Sequence, residues 1–372
     1  MRIGIDARIL GHKRSGIGVY TVNLIEQFLK RRDLQITLFA DRPIREEYKY
    51  VTDKTEVVLF GQDRRKRWAQ FYLPRELKKH RIDVYHATWN NAVPVLTGVP
   101  SVLTVHDIIP LVVPGYFKNL RKRYRYIFSM RSALRKARVI ITDAESTKAD
   151  LIKYFNTPEK KINPIHLGLA QEFKPLDTGK TKAILNKFGI TADYIVNVGS
   201  FDKRRNIDTL IEAFALFYAG AGKNCQLVLL GGYDNFTDEI ARFNALIEKL
   251  NLKRRVIFTN YVSQEEKQGL LCSAKMMVHL SLYEGFCLSI LEAMQAGAPV
   301  IASNAGSIPE IAGSAAMLVD PLDKAPAAKA IEKLWNDNNL TQEFIKNGYE
   351  RIKKFSWEKT ARETADLYEK IL

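Results

Sequence analysis

Several protein classes are excluded by what this sequence lacks. No run of about 18 or more apolar residues is present, so no transmembrane helix organises the chain. The opening Met1-Arg2-Ile3-Gly4-Ile5-Asp6 reads as a buried strand and not as a secretory leader, because Asp6 and Arg8 interrupt the apolar segment. Cysteine is scarce: Cys225, Cys272 and Cys287 are odd in number and follow no ligand spacing. That excludes a disulfide framework and a cysteine-based zinc site, and it predicts reduced thiols in a cytosolic protein. No G-x-G-x-x-G is followed about 20 residues later by a ribose-binding acid, which disfavours a dinucleotide-dependent oxidoreductase. Helix-turn-helix, zinc-finger and RNP-like patterns are missing, so nucleic acid is a poor match for the basic charge described next. Internal repeats and low-complexity tracts are absent too, which leaves ordinary globular packing.

Acidic residues are scarce in one half only. Residues 1–170 hold 32 Lys and Arg against 16 Asp and Glu, whereas residues 171–372 hold 25 of each, so the whole net charge of +16 sits in the first half. It is concentrated in Arg64-Arg65-Lys66-Arg67 and in the run Lys118, Arg121, Lys122, Arg123, Arg125, Arg131, Arg135, Lys136 and Arg138. Either cluster alone reads equally well as a solvated helix face. A one-sided excess of this size creates a field that attracts anionic surfaces. Aromatic residues are interleaved (Trp68, Phe71, Tyr72; Tyr116, Phe117, Tyr124, Tyr126, Phe128), a composition suited to a bilayer interface. The expected location is therefore cytoplasmic, peripheral on the inner face of an anionic membrane, with no nucleic-acid partner.

A chain of 372 residues exceeds the usual size of a single core. Short apolar, β-branched runs alternate with helix-period stretches. The spacing predicts strands at Ile3–Ile5, Ile36–Phe39, Val57–Phe60, Val84–His86, Val102–Val105 and Val139–Thr142 in the first half. In the second half it predicts Ile195–Val198, Gln226–Leu230, Val256–Thr259, Met276–Leu280, Val300–Ala302 and Met317–Val319. Helical patterns such as Tyr20–Lys30, Asp208–Tyr218, Glu239–Leu250 and Gln264–Leu271 lie between them. Continuous apolar strands alternating with helices predict an α/β protein of two doubly wound parallel sheets. The break falls at Gly168 to Thr181, giving domains at 1–170 and 171–355. The helix 356–372, capped by Ser356, either closes the second domain or returns to the first.

Ligands of such sheets bind where strand carboxyl ends lead into helix N-termini. Five loops fit. Arg14-Ser15-Gly16-Ile17-Gly18 follows the first strand; its glycines admit a ligand close to backbone or simply make a tight turn. His106-Asp107 follows the run ending at Val105, where the imidazole can act on a substrate hydroxyl or merely cap the strand. Gly199-Ser200-Phe201-Asp202-Lys203-Arg204-Arg205-Asn206 sets three cations beside a helix start, as a diphosphate site or as a basic surface turn. Glu284-Gly-Phe-Cys-Leu-Ser-Ile-Leu-Glu292 runs from loop to helix, with one carboxylate before the helix and one in its second turn. Such carboxylates can bracket a polyol, and the amides of Phe286, Cys287 and Leu288 can face phosphate oxygens. Ser303 to Glu310 is a fifth small-residue loop that receives a base or ribose, or only turns.

These residues resemble, nearly end to end, the retaining glycosyltransferases of family 4. The resemblance rests on Gly4-Ile5-Asp6-Ala7-Arg8 with Gly16, Gly18 and Tyr20, and on Val105-His106-Asp107. It continues through Gly199 to Asn206, Glu284-Gly285-Phe286 with Glu292-Ala293-Met294, and the terminal Phe355-Ser356-Trp357 helix. It implies the GT-B architecture, two Rossmann-like domains facing across a cleft, with the acceptor on the first domain and the final helix crossing back to it. It also implies roles: Gly16, Gly18 and Ser200 near the donor, His106 on the transferred sugar, Arg204 and Arg205 on the diphosphate, Glu284 on sugar hydroxyls and Glu292 on the ribose. His106, Glu284 and Arg205 would be the catalytic set, with Phe286, Cys287 and Leu288 lining the donor. Three positions depart from the family: Arg205 for a usual lysine, Cys287 for a usual glycine, Ser289 for a frequent proline. No Asp-x-Asp occurs, so no metal is expected to clamp the diphosphate.

The implied activity is retaining, metal-independent transfer of a hexose, mannose first, to a glycan acceptor, plausibly lipid-linked, in surface polysaccharide or lipopolysaccharide synthesis. The loop after His106 resembles that of mannosyltransferases, which makes GDP-mannose the expected donor over a UDP-sugar; no cofactor is expected. Alanine at Glu284 or Arg205 is expected to abolish transfer and leave the fold intact. A nucleotide-sugar epimerase or hydrolase on the same fold, or a basic membrane-binding module without enzymatic activity, are the alternatives.

Overall fold

The computed structural model describes residues 1–12, 15–60, 72–90, 98–117, 119–169, 173–220, 224–234 and 236–372. The basic cluster Arg64–Arg67, Arg14 and Lys118 lie outside these described residues.

The chain forms two compact units, Met1–Ala170 with Phe355–Leu372, and Gln171–Lys354. In the first, β1 (Arg2–Asp6), β2 (Gln35–Ala40), β3 (Glu56–Leu59), β4 (Val84–Ala87), β5 (Ser101–Val105), β6 (Val139–Thr142) and β7 (Ile162–Pro164) pair in the order β3-β2-β1-β4-β5-β6-β7. In the second, β8 (Asp193–Val198), β9 (Cys225–Leu230), β10 (Val256–Phe258), β11 (Met276–His279), β12 (Val300–Ser303) and β13 (Ala316–Val319) pair in the order β10-β9-β8-β11-β12-β13. Every strand pairing is parallel. These are two Rossmann-like domains, and the double sheet expected from the apolar runs is present.

The strands are apolar on both faces because helices cover both faces. Val102, Leu103 and Val105 of β5 and Met276, Met277 and Val278 of β11 are all buried. In each sheet the strand order reverses once, between β1 and β4 and between β8 and β11. Loops leaving neighbouring strands at such a reversal diverge and leave a crevice, which places any ligand chemistry there.

β7 has no counterpart among the predicted strands. Three residues containing Asn163 and Pro164 carry no periodicity, and it pairs only with β6 at the sheet edge, where proline is tolerated. The second segment of the first unit begins at Phe355, one residue before the boundary drawn from the sequence. Its ring packs on His166 with centroids 5.5 Å apart. The helix Trp357–Ile371 lies along the helix Gly16–Phe28, with Tyr368 against Phe28. Trp357 comes so close to Gly168 that a Cβ there would sit 2.2 Å from its backbone nitrogen.

Candidate active site

In the second unit, β8 and β11 are adjacent parallel strands, so the loops that leave them start side by side. That adjacency brings Arg204 and Arg205 onto Glu284 across about eighty residues of sequence. Arg204 Nη1 donates to Glu284 Oε2, and Arg205 Nη1 donates to Oε1. Ser281 Oγ donates to Oε1 at 2.8 Å, and His279 Nε2 lies 3.2 Å from the same oxygen. Burial alone would raise the Glu284 pKa, but the Arg205 and Arg204 guanidiniums outweigh it and hold the carboxyl far below its usual range.

Backbone geometry fixes this cluster. A Cβ on Gly199 would come within 2.9 Å of the Arg205 guanidinium, so only glycine lets that side chain lie against the loop. Asn206 takes a left-handed conformation (φ 54°), tolerable for Asn, and its amide donates to the carbonyls of Leu280 and Pro321 at 3.1 and 2.6 Å. Gly306 (φ 58°) lies so close to Glu284 that a Cβ would sit 2.8 Å from its carbonyl oxygen. Ser307 donates to that oxygen through its amide (3.2 Å) and its hydroxyl (3.0 Å). The Ser303–Glu310 loop thus supports Glu284 from behind.

Other expected residues are placed differently. Ser200 Oγ turns onto Asp202 Oδ2 at 2.6 Å, and Asp202 also accepts from the Arg204 amide at 3.2 Å. Glu292 accepts from Lys267 Nζ at 2.5 Å, a partner with no sequence signal. Phe286 and Cys287 are buried, and Leu288 opens the helix Leu288–Gln295. Cys287 adopts φ 72° at the helix N-cap, the conformation for which glycine is suited. Its Sγ lies 3.3 Å from His279 Nε2. Burial works against charge on His279, but Cys287 and Glu284 outweigh it and push the imidazole up to about 9. His279, Glu284 and Cys287 bring three ligand-type atoms within 4.8 Å of one another, one such group among the described residues. The two guanidiniums on Glu284 already supply the positive charge that a metal would bring there.

The first unit gathers a different set. Asp6 at the end of β1 takes a bidentate fork from Arg8, with Nε–Oδ1 at 2.9 Å and Nη2–Oδ2 at 2.7 Å. Gly16 and Gly18 are not in a loop before the helix, as the pattern from Tyr20 suggests, but in the first turn of Gly16–Phe28. Ser15 caps that turn by accepting from the Gly18 amide at 3.2 Å. A Cβ on Gly16 would meet nothing within 4 Å, so the helix start is open there.

His106 does not offer a free nitrogen to a sugar. Nδ1 lies 2.7 Å from Asp143 Oδ2, and Nε2 donates to the Thr88 carbonyl at 3.0 Å. Burial pulls its pKa down, but Asp143 outweighs this and leaves it above the ordinary value. Behind it, Thr104 Oγ1 lies 3.0 Å from the Tyr20 hydroxyl and 2.7 Å from His86 Nε2, and His86 Nδ1 lies 2.6 Å from the Tyr368 hydroxyl. Burial, with the His106 charge second, pulls His86 down to about 3, so it stays neutral.

Comparison with known proteins fits this geometry. The chain matches Glycosyltransferase Family 4 over residues 14–173 and Glycosyl transferases group 1 over residues 181–351. It is a glycosyltransferase of the GT-B fold. O-antigen chain mannosyltransferase B of Escherichia coli is 26% identical to this transferase over 99% of each chain. Anabaena HepE, solved in complex with UDP and glucose, matches with a TM-score of 0.78 and 18% identity over 99% of both chains. WaaG, described as involved in lipopolysaccharide biosynthesis, matches with a TM-score of 0.75 and 17% identity, also over 99% of both. HepE has been solved with UDP-glucose and with UDP as well. The nucleotide in each of these HepE complexes is a uridine nucleotide, which overturns the expectation of GDP-mannose in favour of a UDP-sugar.

Proposed function

We propose that the second unit binds a UDP-sugar and that the transferase moves its hexose, with retention at the anomeric carbon, to a glycan acceptor in cell-surface polysaccharide assembly. The observation that carries this reading is the carboxylate of Glu284, gripped by Arg204 and Arg205 beside the start of the Leu288–Gln295 helix. Two guanidiniums and the positive end of a helix suit a diphosphate leaving group, and a fixed carboxylate suits sugar hydroxyls. The uridine follows the HepE complexes. The O-antigen and MMP mannosyltransferases among the relatives support mannose as the hexose.

In this mechanism the bond from C1 to the phosphate oxygen breaks as the bond from C1 to the acceptor oxygen forms on the same face. The departing phosphate oxygen takes the acceptor's proton. Arg204 and Arg205 stabilise the diphosphate without a metal, and Glu292 holds the ribose in exchange for Lys267. His106 acts as a positioning residue: its bonds to Asp143 and Thr88 fix the loop that carries Asp107. The acceptor is a lipid-linked glycan met by the basic first unit at an anionic membrane, a reading supported by the 32 cationic against 16 anionic side chains of residues 1–170. Incubation with a panel of UDP-hexoses and NMR of the product tests the reaction. Retained anomeric configuration with EDTA-resistant turnover is expected; an inverted product contradicts the mechanism.

A further inference from the structure

The helix Leu120–Lys136 buries one flank and leaves the other uncovered. Met130, Ala133 and Leu134 anchor it in the first unit's core. On the opposite flank, Leu120, Tyr124 and Phe128 are 67%, 67% and 77% exposed, and Tyr116, four residues earlier, is exposed as well. At about 100° per residue, four-residue steps put Leu120, Tyr124 and Phe128 within roughly 80° of arc, a continuous ridge. Scattered exposed apolar side chains are ordinary; a row of three large ones is not. The same spacing sets Arg131 and Arg135 inside that arc, Arg121 about 20° past its edge and Arg125 about 60° past it, on the neighbouring flank.

The charge around the ridge has one sign. Arg121, Lys122, Arg123, Arg125, Arg131 and Arg135 are exposed, and residues 116–138 contain no Asp or Glu. None of the four arginines on or beside the ridge makes an ion pair among the described residues. A groove of about 260 Å³, walled in part by Leu111, Val113, Pro114, Tyr116 and Leu120, runs alongside.

We propose that this ridge is the docking surface for an anionic phospholipid bilayer. Tyr124, Phe128 and Leu120 enter the interface while the flanking arginines meet lipid phosphates. An oligonucleotide would use the cations and stack on the tyrosine, but it has no use for Leu120 in line with the rings. The proposal rests on the reading of a membrane-presented acceptor and gives that presentation a specific surface.

Sedimentation of the full chain with phosphatidylcholine vesicles, with and without phosphatidylglycerol, tests it. The paired variants are Tyr124→Ser with Phe128→Ser, and Arg121→Gln with Arg125→Gln. The wild type is expected to partition onto the anionic vesicles only. Losing two cations is expected to weaken partition about 25-fold, roughly fivefold each. Losing the two rings is expected to weaken it tenfold or more. All four side chains changed are exposed, and UDP titration of each variant reports whether the donor unit is intact. A wild type that ignores anionic vesicles overturns the proposal. So does a ring variant that binds like wild type, since adhesion would then be charge alone. Capture of an RNA duplex in place of vesicles overturns it too. If vesicles bind but UDP does not, the donor reading fails and the docking surface stands.

Discussion

The two units share a strand order, yet the chemistry gathered at their switch points differs in kind. In the first, buried polar groups satisfy one another: His106 with Asp143 and the Thr88 carbonyl, and the chain from Tyr20 through Thr104 and His86 to Tyr368. Those contacts knit strands to the C-terminal helix, while the Leu120–Lys136 helix carries seven cationic and no anionic side chains. In the second, charge is concentrated inside, where Arg204, Arg205 and His279 crowd around the Glu284 carboxylate, while the sequence from 171 onward is balanced overall. The proposed function divides along this contrast: it assigns the charged ligand to the second unit, and to the first the presentation of a surface.

The largest test breaks the charged cluster. Arg205→Ala or Glu284→Ala is expected to lower turnover by 100-fold or more, as loss of a transition-state donor does. Glu284→Ala is also expected to destabilise the second unit by about 3–5 kcal/mol, because it leaves the Arg205 guanidinium without its carboxylate, whereas Arg205→Ala costs less, because Arg204 still pairs with Glu284. This revises the expectation that alanine at these positions spares the fold, and thermal unfolding beside a turnover assay checks it. Glu284→Gln, which keeps the shape, separates lost chemistry from lost folding.

A pH series distinguishes the units next. His279 in the folded state titrates near 9, above its usual value. Its contribution is therefore whole below about pH 6.5 and is lost as pH rises through about 9, an effect on the order of 3 kcal/mol. The second unit's unfolding temperature is expected to fall over that window, and His279→Gln is expected to flatten the fall. An unchanged slope in His279→Gln contradicts the assignment.

Opening the first unit's network is expected to do less. Asp143→Asn should cost about 1–3 kcal/mol, the penalty of a weakened buried partner for His106, with UDP affinity unchanged. Tyr368→Phe should cost about 1 kcal/mol, since it removes one hydroxyl from His86, and it is read by the same unfolding assay. A large loss of UDP affinity in either variant erases the distinction between the units.

Much of this was legible in the sequence, and what was not has a physical cause. Apolar runs such as Val102-Leu103-Thr104-Val105 announce parallel strands because both faces are buried, whereas Ile162-Asn163-Pro164 at an edge announces nothing. Arg204, Arg205 and Glu284 could each be singled out from their loops. Their mutual pairing could not, because it depends on β8 and β11 being sheet neighbours. His279 hides at the end of the apolar run Met276-Met277-Val278, and only the observed end of β11 turns its ring toward Glu284. Asp143 and Lys267 act through tertiary contact alone and carry no local pattern. His106 was visible as a residue, but its partners were not, since both its nitrogens bond to groups on neighbouring strand ends.

The central claim is that the charged cluster of the second unit receives a uridine diphosphate sugar. Calorimetric titration of UDP, GDP and ADP into the wild type and into Arg205→Gln tests it most directly. The account predicts that the wild type binds UDP more tightly than GDP or ADP, and that Arg205→Gln weakens UDP tenfold or more. Equal UDP affinity in the two proteins, or a preference for GDP, contradicts it.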